Sequence, residues 1–369
     1  VADTEDSLLQ LKAALEGLLD KAELSKHVAI AAESKAPSQP ATTLMHVRFR
    51  ENKANVETLA QFLWQCATNY SLSRRRRQEI HEQIKTAPPG DLSTLSLVST
   101  SVREAFLEFN KDYPHRSSEV GELLAYCIAL EQLGAAQLLA KMALKTNNNM
   151  PVHGLDGIHG KVENGWLTLF FLESKLSSNA NSAAKEFAES VAEFSNNKKQ
   201  YRREYQLVKD LGNLDALSPT DKKVALDYFD IFTSSDTPIR ERCVGVLLYS
   251  DENAFASLPP LSDDHAPGFY EEVFAEAYAK QLGHHQGAAL KHLKSNKGEP
   301  ERCRVYFVVV PDADAVRQLF YDTMGYVPSA VKAAKKSAKP KKIPDEKKAP
   351  APKKPVAVKK KTAVPEGEK

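Results

Sequence analysis

A carboxylate at Asp156 is followed, after sixteen intervening residues, by Glu173-Ser-Lys175, and a further acid, Glu122, lies ahead of both. These residue types can hold a divalent cation against a phosphate. In an extended strand, residues i and i+2 share a face, so Glu173 and Lys175 project together, in line with Leu167, Leu169 and Phe171. An unpartnered charge on an apolar row is costly, so a row that turns from apolar to Glu and Lys marks the edge of a cleft. Only a short turn around Glu163–Gly165 separates the Asp156 segment from the Trp166–Leu176 segment, and a hairpin there sets Asp156 beside Glu173. Two adjacent carboxylates repel unless a cation lies between them. Mg²⁺, with Mn²⁺ as a substitute, takes such oxygen ligands and leaves its other positions to water and substrate phosphate. Lys175, held near the ion, could orient or deprotonate an attacking water and offset charge developing on phosphorus, which is metal-assisted phosphodiester hydrolysis.

The same residues also fit a plain exposed hairpin with a solvated ion pair. His153 and His159 flank Asp156 at even spacing from each other and odd spacing from it, so they share a face that Asp156 does not. Zinc lacks a third ligand there, leaving a structural or substrate-contact role for both. There is no GxxxxGK[ST], no GxGxxG after a strand, no HExxH and no GxSxG, which argues against an ATPase, a dinucleotide-dependent dehydrogenase or a simple serine hydrolase. The four cysteines form no CxxC or CxxH spacing. Arg74–Arg77 suits phosphate contact or the wet side of a helix equally well, and His265 and the His284-His285 pair fall in stretches read as exposed polar loops.

The elements that must position these residues are read from periodicity. Leu8, Leu11, Leu15 and Leu18 form one stripe on a helix over Glu5–Lys26, followed by a loop holding Pro37 and Pro40 and a strand over Leu44–Arg50. Helices follow over Val56–Tyr70, Arg74–Lys85, Ser101–Asn110 and Glu119 to about Gly134. Three strands are expected over Gln137–Lys145, Val152–Val162 and Gly165–Leu176, then helices over Ala183–Phe194, Lys198–Leu211 and Thr220–Phe232. Strands at Arg242–Tyr249 and Arg302–Val310 alternate with helices at Phe269–Leu282 and Ala313–Met324. Helices around a central group of strands imply an α/β or α+β core.

The chain of 369 residues has 50 Lys and Arg against 48 Asp and Glu, a net +2 that averages two unlike parts. Val331–Lys369 holds 14 Lys and 4 acids, which leaves Val1–Ala330 with 36 basic and 44 acidic residues, a net −8. The Lys/Pro/Ala-rich tail has no aromatic residue and no apolar periodicity, so it reads as disordered. No apolar run reaches membrane-spanning length and the first residues are acidic where a signal peptide is basic, so a cytoplasmic protein with no membrane partner is expected.

Asp156 with Glu173-x-Lys175, preceded by Glu122 on a helix, resembles the PD-(D/E)xK nuclease superfamily. A longer resemblance spans Ser118-Glu-Val-Gly-Glu-Leu-Leu124, Lys141-Met-Ala-Leu-Lys-Thr146, Pro151-Val-His-Gly-Leu-Asp-Gly-Ile-His159 and Phe171-Leu-Glu-Ser-Lys175. These runs look like the HamA nuclease-subunit family of Hachiman anti-phage defence systems in bacteria. The resemblance implies a restriction-endonuclease-like core with a small central sheet among many helices, and a Mg²⁺-dependent DNase working with a superfamily 2 helicase subunit, HamB. It implies that the helicase restrains the nuclease until abnormal DNA is met. Carried over residue by residue, Asp156 and Glu173 are metal ligands, Lys175 is the catalytic lysine and Glu122 a helical catalytic acid. Lys145, His153 and His159 follow as substrate contacts. The implied organisation is a helical region over 1–110, a nuclease core over 111–330 and the basic tail over 331–369. The rival is a non-catalytic assembly or nucleic-acid-binding subunit that keeps a vestigial nuclease hairpin.

Overall fold

The turn that folds the two chemistry-bearing strands together is Asn164-Gly165, with φ of 51° and 74°. Two consecutive positive φ values define the tight hairpin turn whose twist matches that of its strands, and Asn-Gly is its preferred dipeptide. In the computed structural model the described residues are 2–112, 119–140, 142, 155–197, 202, 205–209, 213–229 and 238–325. Lys145, His153, most of the expected Lys198–Leu211 helix and the basic segment 331–369 lie outside them.

In chain order the elements are α1 (Ala2–Gly17), β1 (Val28–Ser34), β2 (Ala41–Val47), a small ribbon of β3 (Phe49–Arg50) and β4 (Lys53–Ala54), α2 (Val56–Ser71), α3 (Arg74–Thr86) and α4 (Ser93–Asp112). Then come α5 (Glu119–Ile128), which runs into a π-helical turn at Ala129–Leu133, β5 (Ala136–Ala140), β6 (Gly157–Glu163), β7 (Trp166–Ser177), α6 (Ala180–Asn196) and α7 (Pro219–Tyr228). The last group is β8 (Ile239–Ser250), α8 (Glu252–Ala256), α9 (Phe269–Ala279), α10 (Leu282–Ser295), β9 (Cys303–Val310) and α11 (Ala313–Thr323).

One seven-stranded sheet has the order β1-β2-β9-β8-β7-β6-β5. Its middle, β2, β9, β8 and β7, is parallel, and antiparallel strands close both flanks. Helices cover both faces, which explains why β8 and β9 read as nearly unbroken apolar runs. Phe170, Leu172, Val244, Val246 and Val308 pack with α2, α5 and α11 on one side. On the other, Leu247, Val305, Phe307 and Val309 pack with α6, α9 and α10. Leu167, Leu169 and Phe171 meet the leucine stripe of α1 and the buried face of α7 on that second side.

The expected mixed α/β core is present, with α5, β5, β6, β7, α6, α7 and β8 following one another in the chain. Several elements depart from the sequence reading: the first helix ends at Gly17 rather than Lys26, and α8 and β4 are additional to it. Val28–Ser34, taken with the prolines as loop, is an edge strand paired to β2, so the N-terminal region contributes two strands to the sheet. His284-His285, read as an exposed loop, begins a helix instead. The His285 ring is buried and its Nε2 lies 2.8 Å from the Tyr249 hydroxyl. His265 stacks on Phe269 with centroids 3.9 Å apart.

Candidate active site

The β6–β7 hairpin fixes the site by register. Glu163 pairs with Trp166 and Gly157 with Leu172, and the Asp156 N–H donates to the Leu172 carbonyl at 2.8 Å. Asp156 therefore stands at the head of β6, alongside Glu173. One of its carboxylate oxygens, Oδ2, accepts from the Ser174 N–H at 2.7 Å and from the Ser174 hydroxyl at 2.6 Å. Glu173 Oε1 accepts from Lys175 Nζ at 2.7 Å, with the two side chains 9% and 22% exposed. The i, i+2 geometry thus delivers the lysine to its acid.

Helix α5 presses onto this strand through Gly121. A Cβ at that position would lie 3.0 Å from Ser174 Oγ, a tight contact, so glycine lets the helix approach without moving the serine that bonds Asp156. One residue on, Glu122 is buried and its Oε2 accepts from the Tyr70 hydroxyl at 2.8 Å. Burial pushes the Tyr70 phenol well above its ordinary pKa, and the nearby charges of Glu122, Asp156 and Glu119 push it further. Tyr70 accordingly stays a proton donor at any working pH. Its place among those carboxylates links the helical acid to the Asp156 end of the hairpin. Glu119, one turn earlier, accepts from the Tyr321 hydroxyl at 3.0 Å.

His159 lies apart from this group. Its ring is 1% exposed, packs edge-on against Tyr126 at 5.9 Å, and has Nδ1 2.9 Å from the Ala135 carbonyl oxygen. A carbonyl only accepts, so Nδ1 carries the proton. Burial brings the ring's pKa down to about 4, which keeps it neutral in ordinary buffers.

Among the described residues no three His, Cys, Asp or Glu side chains converge closely enough to hold an ion by themselves. That excludes a closed structural zinc site among them. Asp156 and Glu173 are the carboxylates that could contribute to a Mg²⁺ site, since Mg²⁺ needs only one or two when water and substrate phosphate complete its shell. Three contributors went unnoticed in the sequence: Tyr70, Gly121 and Ser174. Ser174 had a signal, being a small polar residue between Glu173 and Lys175 on the face that Phe170 and Leu172 make apolar. Tyr70 and Gly121 had none.

An acid on a leading helix, an antiparallel three-strand unit carrying Asp and Glu-x-Lys, covering helices and a parallel fourth strand make this a mixed α/β protein. The family model described as HamA matches residues 22–324, and the chain belongs to that family. Membership points to a component of Hachiman anti-phage defence. No curated protein matches the chain. Among the described residues, no helix is long and apolar enough to cross a membrane.

Proposed function

We propose that this protein is a divalent-metal-dependent deoxyribonuclease, the effector of a Hachiman complex whose superfamily 2 helicase subunit restrains it and delivers DNA to it. The observation that carries the reading is the register that sets Asp156 beside Glu173, with Lys175 closing on Glu173. Asp156 and Glu173 would hold the ion. A bound Mg²⁺ or Mn²⁺ supplies Lewis acidity at the phosphate and lowers the pKa of water. Ser174, by donating twice to one oxygen of Asp156, fixes the plane of that carboxylate. Lys175 orients water beside Glu173 and offsets negative charge on the phosphate oxygens. Glu122, anchored by Tyr70, sets the electrostatics behind them.

Cleavage of plasmid DNA with Mg²⁺ or Mn²⁺, with and without the helicase, tests this. Glu173→Gln and Lys175→Ala should each lose at least about 100-fold in rate while folding normally. Metal-dependent cleavage that persists in both variants sinks the assignment. No cleavage by the wild type under any of these conditions leaves the non-catalytic assembly subunit. The net −8 over residues 1–330 repels DNA at long range, so the isolated protein should cut weakly and the complex faster or under tighter control.

A further inference from the structure

Four arginines that the sequence scatters over two segments meet on one face of the sheet. Arg240 and Arg242 lie near the start of β8, Arg302 just before β9 and Arg304 within it. Cys243 pairs with Cys303 and Val244 with Arg304, so Arg242 and Arg302 are neighbours on the face that Val244 and Arg304 share. Arg240 is two residues back on that face, level with Thr168 of β7 and then Lys161 of β6. With strands about 4.8 Å apart, the basic row extends about 14 Å from β6 to β9.

Counter-charge along it is partial and uneven. Glu163 approaches Lys161 at 3.7 Å and Arg304 only at 4.0 Å, while Glu299 takes Arg302 at 2.6 Å. Lys161 also donates to the Leu133 carbonyl at 3.0 Å. Neither Arg240 nor Arg242 takes part in an ion pair among the described residues. Burial lowers the pKa of Arg242, and Arg240, Arg304 and Arg302 lower it further against the single acid Glu163.

Aromatic rings interleave with these cations. The Arg240 guanidinium lies 4.6 Å from the centre of the Trp166 ring and that of Arg304 lies 5.3 Å from Phe170. Phe170 is buried, whereas Trp166 is 37% exposed. Between Lys161 and Arg240, Thr168 is buried with its hydroxyl unpartnered. A cavity of about 420 Å³ opens beside the row, lined in part by Arg242, Arg304, Lys35 and Tyr306 together with the acids Glu33 and Glu301. Glu173 projects from the opposite face, whereas Ser174, which holds Asp156, lies on the row's own face beyond Phe170 and Leu172. Gly245, the partner of Glu173, lies on the other side of the sheet against Phe187.

We propose that this face binds single-stranded nucleic acid, with Arg240, Arg242 and Arg304 holding backbone phosphates and Trp166 stacking on an unpaired base. Guanidinium forks suit phosphate oxygens, and a row wider than one phosphate group suits a chain of them. A ring can stack only on a base freed from its duplex, which selects single strands. The site's consequence, feeding a strand to a nuclease, rests on the function proposed above; the binding itself does not.

Fluorescence anisotropy reads it directly. A labelled oligothymidylate of about 16 nucleotides, the upper site size for one strand-binding module, is titrated with the full chain in EDTA at several salt concentrations. The Arg242→Ala/Arg304→Ala double variant should bind more weakly, with a log–log salt slope smaller by about 1.4, or about 0.7 per lost phosphate contact. Trp166→Ala should weaken binding about 5- to 150-fold and leave the slope unchanged. The Arg242→Lys/Arg304→Lys variant should keep the slope, which separates lost charge from lost folding, and Arg75→Ala on exposed α3 should change nothing. Wild-type binding by both the double alanine variant and Trp166→Ala overturns the proposal. So does equal binding of the matching duplex, or displacement by thymidine monophosphate as effective per nucleotide as by the strand. With no metal present, a protein that proves unable to cut DNA still gives a clear answer here.

Discussion

Two groups of arginines in this protein behave in opposite ways. Arg74–Arg77 stand side by side in the sequence, yet folding divides them. Arg74 and Arg77 turn inward to Asp20, at 3.1 and 3.0 Å, and Arg77 brings both terminal nitrogens to that carboxylate. Arg75 and Arg76 stay exposed and pair with Glu79 on their own helix, Arg75 also reaching Asp215 at 3.6 Å. The even choice between phosphate contact and a wet helix face therefore resolves, for Arg74 and Arg77, into a buried structural anchor. Arg240, Arg242, Arg302 and Arg304 form no run, and the sheet gathers them with partial counter-charge. Neighbours along a helix diverge by about 100° per residue, whereas i, i+2 positions on adjacent parallel strands stack on one face. A conspicuous charge run can thus be spent internally while dispersed charges make the patch.

Breaking the anchor should give the largest effect. Asp20→Ala leaves two largely buried guanidiniums without their acid and removes the acceptor of the Tyr126 hydroxyl, which donates at 2.9 Å. A loss of about 3–5 kcal/mol is expected in urea unfolding. Burial alone would raise the Asp20 carboxyl, and Arg77 and Arg74 more than offset it, holding the pKa below the usual value. That stabilisation is present above the ordinary carboxylate pKa and is lost as pH falls through the lowered one.

His159, edge-on to Tyr126 beside the same anchor, makes a second and somewhat smaller effect. Its folded pKa of about 4 lies below the unfolded value near 6.5, so the unfolded chain binds the proton first. Stability should be complete above about pH 6.5 and decline towards pH 4 by about 3 kcal/mol. His159→Gln, measured by unfolding across that range, should flatten this part of the curve.

The smallest effect sharpens the contrast. Arg242→Ala removes a charge crowded by like charges, so its stability should stay within about 0.5 kcal/mol of wild type or rise slightly. Arg77→Ala, which leaves Asp20 with Arg74 alone, should cost several times more in the same urea experiment. Equal losses would erase the distinction between the two groups.

The site was more legible than its supports. Asp156 and Glu173 could be aligned because Asn164-Gly165 turns tightly and the strands on either side pair without a slip, so counting residues gave the register. The leucine stripe of α1 was equally plain, and Leu8, Leu11, Leu15 and Leu18 are all buried. β1 gave a weak signal because three of the seven residues of Val28–Ser34 are alanine and only Val28 and Ile30 are β-branched. α10 escaped notice because Gly283 and Gly287 weaken its helical signal, and what holds it is burial of His285, Ala289 and Leu293 against the sheet. Tyr70 and Glu122 lie fifty-two residues apart, and no local pattern joins them. The arginine face is hidden for the same reason, since it exists only once β8 and β9 are in register.

The placing of β9 between β2 and β8 also sets a schedule for the growing chain. Ala41–His46 finds its parallel partner only in Arg304–Val309, about 250 residues later, which at about 5–20 residues per second is a delay of roughly 10–50 s. Until then β2 and β8 each present an open hydrogen-bonding edge to whatever is nearby. The middle of the sheet is thus the last part to close. A ribosome that stops before Cys303 releases a product in which β2 and β8 lack the strand that pairs with both, leaving two open edges in incomplete copies ready for proteolysis or aggregation.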